Sequence, residues 1–412
     1  MSGQRSPDAR AAAVRAQRAA LTVFLSVFAA SWLIVGSLLA PVVAGGWGTI
    51  ALAALAFTVI PLVFLLRSRG SEHYPGKAAR LLVFRPMWYV QLLLILSALA
   101  GLVGIVAEMP FGAGARGGQY AIAAITAAYV LFALLGYAGS RGLLVASLTA
   151  TIPSLPEALD GLRIAQICDT HIGPHTSRAT LARIASAVRN AKPDLIAVVG
   201  DLIDDFAPDV SHYANAFGAL AAPLGVYIVP GNHEVYAGWS EVLPRLRALA
   251  HVTLVNESRV VEHNGVRLAI AGTGDPAAGR IPGPGAPAPD IAATLGGIPK
   301  GVFTIVLAHN PALWPPLASA GVPLTLSGHT HWGQLSINGA GWSVANLFLE
   351  LAMGAYRRGD SLLYVSPGTN YWGIPFRIGA RAECSVITLR RGAEAGISGA
   401  QSADARATRA RG

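Results

Sequence analysis

Long uncharged apolar runs fill the first third of the chain, and short apolar runs between polar turns fill the rest. No residue from Ala19 to Leu66 is charged. A helix of about 20 apolar residues spans a bilayer, so this stretch holds two spans, with Gly45-Gly46 as the turn between them. The uncharged runs Pro86–Ala107 and Gly117–Ser140 supply a third and a fourth. Trp47, Trp88, Tyr89, Tyr120 and Tyr137 lie near run ends, where amphipathic rings favour the headgroup layer. The pattern predicts an N-terminal four-helix transmembrane bundle over residues 19–141. A signal peptide has an apolar region of about 7–15 residues, shorter than the first run, and here a second run follows at once.

After Arg141 the pattern changes. Leu143–Ile152, Leu162–Cys168, Leu195–Val199, Gly225–Val229, Val266–Ala271, Phe303–Leu307, Pro323–Leu326, Leu363–Val365 and Ser385–Leu389 read as strands. Helical spacing recurs over 177–190 and 210–220. Strand–helix–strand alternation argues for a layered α/β domain over 142–390. Residues 276–289 read as a Pro/Gly/Ala-rich surface loop, 1–18 as a basic N-terminal segment and 391–412 as a disordered tail. The apolar stretch Val344–Tyr356 packs either in the core or against lipid, and its sequence does not separate the two.

Composition agrees with a chain partly in lipid. Only 13% of residues are charged and mean hydropathy is +0.49, where soluble domains carry about a quarter charged residues. Residues 1–150 hold eleven Lys or Arg against three acidic residues, so nearly all of the net charge of +9 belongs to the membrane half. A nucleic-acid binder concentrates basic charge on its folded domain, so no nucleic-acid partner is expected; the bilayer is. Arg5, Arg10, Arg15 and Arg18, and then Arg67, Arg69, Lys77, Arg80 and Arg85, flank the first pair of spans. The positive-inside rule puts both segments in the cytoplasm. Four spans return the chain to that side, which predicts a multi-pass cell-membrane protein with a cytoplasmic C-terminal domain. Cys168 and Cys384 lie in apolar strands and read as buried thiols; no spacing for structural zinc is present.

Candidate chemistry sits at strand ends. Asp169-Thr170-His171, Gly200-Asp201, Gly231-Asn232-His233-Glu234, His309-Asn310 and Gly328-His329-Thr330-His331 each follow an apolar strand. Carboxyl ends of strands are where α/β sheets build sites. Mixed imidazole, carboxylate and amide donors suit Mn, Fe or Zn. Two cations about 3.5–4 Å apart need a bridging group, and Asp201 is the natural one, one oxygen for each cation. In extended backbone the alternate residues of Asp169-x-His171 and His329-x-His331 face one side. Each motif alone is weak, but five in order are specific.

This set resembles the calcineurin-like metallophosphoesterase family, membrane-anchored bacterial members included, over about residues 155–390. The resemblance implies a four-layer αββα sandwich of two mixed sheets and two divalent ions, Mn favoured. It also implies ligand sets: Asp169, His171, Asp201 and His331 on one ion, and Asp201, Asn232, His309 and His329 on the other. His233 would contact substrate oxygens or protonate the leaving group. Trp332 stands where such members more usually have Gly, so the pocket rim is expected to differ. The implied activity is hydrolysis of a phosphoester or pyrophosphate in a phosphorylated small molecule or lipid, and membrane anchoring favours a lipid-linked substrate.

His175, His212, His251 and His263 read as solvated or ordinarily hydrogen-bonded, Asp204 as a residue that could orient a ligand, and Arg357-Arg358 as a solvated or membrane-facing pair. The competing function is a catalytically silent membrane sensor or scaffold on the same fold. It predicts a missing ligand, and none is missing. A transporter would carry charged residues within its spans, and these have none. The topology is checked with a reporter fused after Gly412, expected to be active on the cytoplasmic side; activity outside the cell only would reverse the orientation.

Overall fold

A computed structural model describes residues 7–68, 77–112, 114–173, 176–204, 206–279, 285–337 and 341–399. His175 and Asp205 lie outside the described residues, as do parts of the 276–289 loop and of the tail. The chain divides into two compact units, Met1–Leu134 and Leu135–Gly412.

The first unit is helical: α1 (Pro7–Leu39), α2 (Gly46–Ala54), a π turn (Leu55–Val59), α3 (Ile60–Ser68), the single turn α4 (Lys77–Ala79), a second π turn (Arg80–Phe84), α5 (Arg85–Glu108) and most of α6 (Gly114–Gly139). Four spans are expected from the sequence. Among the described residues three helical stretches are long and apolar enough to cross a membrane: Gly46–Phe64, Leu81–Phe111 and Gly114–Gly139. The described apolar part of α1 is Leu25–Leu39, shorter than a bilayer's hydrocarbon thickness requires.

Apolar packing holds α1 and α5 together through Phe28, Val35, Leu38, Leu94 and Ala98. A polar tie accompanies it. The Phe57 carbonyl's α-helical partner would be the residue four on, Pro61, which has no N–H. The Gln91 amide donates to that carbonyl at 2.7 Å and to Thr58 Oγ1 at 2.8 Å, and Trp32 Nε1 donates to the same hydroxyl at 2.9 Å. Three helical segments thereby meet at one hydrogen-bonded cluster, in which Gln91 Oε1 is buried without a partner.

The second unit follows the expected strand–helix alternation. Its strands are β1 (Leu144–Ile152), β2 (Arg163–Ile167), β3 (Leu195–Val199), β4 (Val226–Val229), β5 (Val252–Thr253), β6 (Glu257–His263), β7 (Val266–Gly272), β8 (Phe303–Leu307), β9 (Leu324–Ser327), β10 (Ser336–Ile337), β11 (Trp342–Ser343), β12 (Gly354–Arg358), β13 (Ser361–Val365), β14 (Glu383–Arg391) and β15 (Gly396–Ser398). The helices between them are α7 (Arg178–Ala191), α8 (Val210–Phe217), α9 (Asn232–Tyr236), α10 (Trp239–Arg247), α11 (Ile291–Gly296) and α12 (Trp314–Ser319). One mixed sheet has the order β15-β1-β14-β2-β3-β4-β5 and the other β12-β13-β9-β8-β7-β6.

Strand periodicity sets the layers. In β3, Leu195, Ala197 and Val199 face the second sheet and meet Ile305, Leu307 and Leu326, while Ile196 and Val198 face outward onto Ile184 and Val188 of α7 and Phe217 of α8. On the far side Val306 and Ala271 lie under Leu317 of α12 and Leu295 of α11. Helix, sheet, sheet, helix is the four-layer order that the resemblance implies. Strands covered on both faces read as continuous apolar runs, which explains why β3 and β8 were legible. The strands β6 and β12 were not, because both are sheet edges with exposed, charged positions. The expected tail from 391 needs correction: Gly396–Ser398 pairs antiparallel with Thr149–Thr151 of β1 and closes that sheet's edge.

Replacing Gln91 by Leu strands the Phe57 carbonyl and should cost the helical unit about 1–2 kcal/mol. In mixed micelles the SDS midpoint followed by circular dichroism should fall; an unchanged midpoint would mean the carbonyl finds another donor.

Candidate metal centre

All seven candidate ligands follow the carboxyl ends of β2, β3, β4, β8 and β9, five of them on loops, Asn232 at the start of α9 and His331 at the start of a 3-10 turn. Asp169, His171, Asp201 and Asn232 come from one sheet, and His309, His329 and His331 from the other. Their donor atoms converge in two groups. In the first, His171 Nε2 is 2.8 Å from His331 Nε2 and 3.6 Å from Asp201 Oδ2, and His331 Nε2 is 3.4 Å from Asp169 Oδ1. In the second, His309 Nε2 is 3.2 Å from Asp201 Oδ2 and 3.3 Å from Asn232 Oδ1, with His329 Nδ1 2.7 Å from the same amide oxygen.

The donor set fits divalent cations. Ligand atoms about 2.1 Å from a cation and at right angles stand about 3 Å apart, close to these spacings. Asp169 Oδ2 is buried without a hydrogen-bond partner, and two imidazole Nε2 atoms at 2.8 Å oppose lone pairs unless a proton or cation lies between them. His309 Nδ1 donates to the Val199 carbonyl at 2.9 Å, which leaves the lone pair on Nε2, facing the group.

Two details differ from expectation. Asp201 turns a single oxygen, Oδ2, toward both groups, because Oδ1 accepts the His233 backbone N–H at 2.9 Å. The Asp-x-His and His-x-His segments are not extended. Asp169, His171, Asp201, His329 and His331 all have positive φ, between 38° and 75°. The left-handed conformation costs an L-residue about 1–2 kcal/mol, so backbone strain is concentrated here. It also sends His329 to one group and His331 to the other.

The glycines of the motifs make the room. A Cβ on Gly231 would lie 2.1 Å from Asp201 Oδ1, one on Gly328 2.4 Å from Asp169 Oδ2, and one on Gly200 2.5 Å from His309 Nδ1. Each glycine thus clears space for a ligand on another strand.

Electrostatics is set by burial. Burial opposes ionisation of Asp201, but His309, His233 and His171 together hold its carboxyl well below the usual carboxylate range. Burial, with the Asp201 charge, raises Asp169. Burial opposes the charge on His309, yet Asp201 and Asp169 lift it well above an ordinary histidine. Burial, then His309, lowers His329 to about 4, and burial with His171 and Arg377 lowers His331 well below the ordinary value.

Glu234, present in the motif without an assigned role, is a brace. Its carboxylate accepts the backbone N–H groups of Asp201, Leu202, Ile203 and Gly231 at 2.7–3.2 Å. Asp204 lies 3.5 Å from His171 Nδ1, and its carbonyl accepts a short bond from His233 Nδ1. Two residues carried no signal in the sequence. Arg377, 1% exposed, donates to the carbonyls of Pro367, Asn370, Ala380 and His331, and burial lowers its guanidinium to about 10. Trp372 exchanges two hydrogen bonds with Gln334 and meets the His233 ring edge to face at 6.0 Å. Trp332 is not at the rim. It is buried among Ala345, Ala352, Met353 and Ala380 with φ 48°. His251 is buried on Tyr213 and the Leu220 carbonyl, and His212 is exposed beside Asp209.

Comparison with known proteins follows the same lines. A family model described as calcineurin-like phosphoesterase matches residues 162–333. A Danio rerio protein named transmembrane protein with metallophosphoesterase domain is 34% identical over 253 residues, 58% of this chain and 56% of that protein. A Helicobacter pylori J99 protein named uncharacterized metallophosphoesterase is 33% identical over 263 residues, 62% of this chain and 68% of that protein. The solved structure of calcineurin-like phosphoesterase YfkN from Bacillus subtilis is 17% identical over 42% of this chain and 72% of its own, with a TM-score of 0.32. The chain spans little more than half the length of the zebrafish relative it matches.

A strained, buried donor set predicts strong linkage between cation binding and stability. Chelation should lower the thermal midpoint of the second unit and Mn²⁺ should restore it. Ligand at a hundredfold excess over Kd adds about 2.7 kcal/mol, about 5–10 °C for a domain of this size. Gly231→Ala should abolish the difference; a midpoint indifferent to chelator would argue against a cation site.

Proposed function

Because the chain belongs to the calcineurin-like phosphoesterase family, we propose that it is a membrane-anchored phosphohydrolase acting on a phosphoester or pyrophosphate. The observation that carries this reading is the convergence of seven strand-end donors into two groups joined at Asp201 Oδ2. Asp169, His171, Asp201 and His331 would hold one divalent cation, and Asp201, Asn232, His309 and His329 the other; Mn is favoured over Fe or Zn. What two such cations supply is Lewis acidity, which makes hydroxide available from water near neutral pH and offsets charge on phosphoryl oxygens.

The protein's own residues do the rest. Hydrolysis forms a bond from water oxygen to phosphorus and breaks the bond to the leaving oxygen, which must gain a proton. His233 lines the pocket that holds the ligands. Its Nδ1 is committed to the Asp204 carbonyl, so Nε2 is the atom that holds or transfers a proton there. Trp372 lines the same pocket and meets that ring edge to face. The strand ends keep the ligands in place between turnovers.

Around this core we place a multi-pass anchor of four spans, α1 completing the set, over residues 19–141. The catalytic domain, 142–390, then lies on the cytoplasmic side. The Gln91 tie joins two helices of this anchor, and anchoring supports a substrate that is itself lipid-linked. The silent-scaffold alternative would tolerate loss of ligands, and the full donor set favours chemistry.

With the full chain in detergent, metal-stripped and resupplied with Mn²⁺, Asp201→Asn should cut phosphodiester turnover by about 10²–10⁴-fold. His233→Ala should cut it by about 10²–10⁴-fold for alkyl leaving groups, and far less for p-nitrophenolate, which leaves without a proton. Equal losses with both leaving groups would remove the proton-transfer role. No turnover despite two bound cations would favour the scaffold.

A further inference from the structure

The hydrolytic role leaves unexplained an apolar surface beside the pocket. The short hairpin β10–β11 and the turn after it expose Ile337 (60%), Trp342 (38%), Leu347 (62%) and Phe348 (80%). These side chains form no part of either core cluster between the sheets and helices. Large apolar groups held in water on one short segment are unfavourable and mark an interaction surface.

Sheet register says where this surface lies. Strand β1 runs parallel to β14, and β14 runs antiparallel to β2. The start of β1 is therefore at the same sheet end as the close of β2, where Asp169 sits. Ser385 pairs with Ala146 on one side and Gln166 on the other, which brings Leu144 level with Cys168, two strand spacings or about 10 Å away. The apolar helix α6 thus enters the catalytic unit at its catalytic end.

Contacts within that unit close the connection. The Gly136 carbonyl accepts the Arg377 backbone N–H at 2.9 Å. Gly136 lies against the Phe376 ring and Gly139 against the Arg377 carbonyl, so tightly that a Cβ on either would clash. Arg377 reaches His331, and the next carbonyl, that of Ile378, accepts the Ser336 N–H at the base of the hairpin at 2.8 Å. Leu135 and Tyr137 on the last turn of α6 are exposed as well. The base of the hairpin is therefore tied, through Ile378 and Arg377, to the end of a helix long and apolar enough to cross a bilayer. Tryptophan and tyrosine favour the headgroup boundary, and Arg141, just past the helix end, suits lipid phosphates.

We propose that Ile337, Trp342, Leu347 and Phe348 seat in the interfacial layer of the bilayer that α6 crosses. The catalytic domain then rests on the membrane with its pocket at the lipid surface. A phosphate carried on a lipid headgroup reaches the site without leaving the membrane. This last consequence rests on the hydrolase reading; the docking does not.

The test uses the full chain in phosphatidylcholine vesicles, with the environment-sensitive dye NBD placed on Ile337→Cys, Phe348→Cys and, as a control on the edge strand β6, Val260→Cys. The native Cys168 and Cys384 are buried. Expected are blue-shifted emission and quenching by doxyl-labelled lipid at 337 and 348, and neither at 260. Emission at 348 matching that at 260 would overturn the proposal, and so would a blue shift without lipid quenching, which would mean a second copy or another protein covers the patch. The double variant Leu347→Asp, Phe348→Asp should hydrolyse a vesicle-embedded phospholipid about tenfold more slowly and a water-soluble chromogenic phosphodiester at the unaltered rate. Equal loss on both substrates would count against docking as the cause. Lipid quenching with no hydrolysis of either substrate by the parent chain would leave the docking standing and sink the hydrolase reading.

Discussion

Two buried carboxylates set the terms for the catalytic unit. Asp169 and Asp201 sit in the same small space with almost no access to water, where an uncompensated negative charge is costly. Three imidazoles, those of His171, His309 and His331, turn nitrogens toward them at 3.2–3.6 Å. Such a cluster is stable only if positive charge lies within it, as a proton on His309 or as bound cations. The local architecture serves that condition. Strands buried on both faces hold the ligand loops, glycines open the space between them, and Glu234 gathers four backbone N–H groups to fix the turn that carries Asp201.

The same constraint accounts for the strain. Five ligands adopt left-handed backbone conformations that side chains other than glycine avoid. Together they cost several times the about 1–2 kcal/mol of a single residue, and the sheets are stable enough to sustain it. Cross-sheet hydrogen bonds reinforce the clamp: the His329 N–H donates to Asp169, and His309 Nδ1 donates to the Val199 carbonyl. The two sheets are thus joined at the site by the ligands as well as by the apolar core between them.

Strand direction sets the end of the sheet at which the chain enters the catalytic unit. Had β1 run the other way, α6 would enter at the far end of the sheet. Its actual direction brings the helix end, Arg377 and His331 into one continuous set of contacts. Arg377 holds its charge mainly on backbone carbonyls, with the His331 ring nitrogen 3.3 Å away. Trp332 illustrates a different economy of space, because its ring fills a pocket of small side chains behind the site instead of the mouth.

Much of this was legible in the residues themselves. Uncharged runs announce apolar helices, and continuous apolar runs of five or so residues announce strands covered on both faces, as in β3 and β8, because solvent exposure is a local property of each position. The order Asp-x-His, Gly-Asp, Gly-Asn-His-Glu, His and Gly-His-x-His named the donors, since chemistry belongs to residue type. Pairing did not belong to residue type. That Asp201 offers one oxygen to both groups follows from a backbone N–H 32 residues away taking the other. Edge strands such as β6 and β15 lack the apolar run, and Arg377 and Trp372 follow the last motif with nothing local to mark them. The sequence by itself determined which side chains could bind, bury or cross a membrane. The tertiary structure alone decided which of them meet, because contacts such as Asp169 with His329, 160 residues apart, depend on the register and direction of strands that only the whole fold sets.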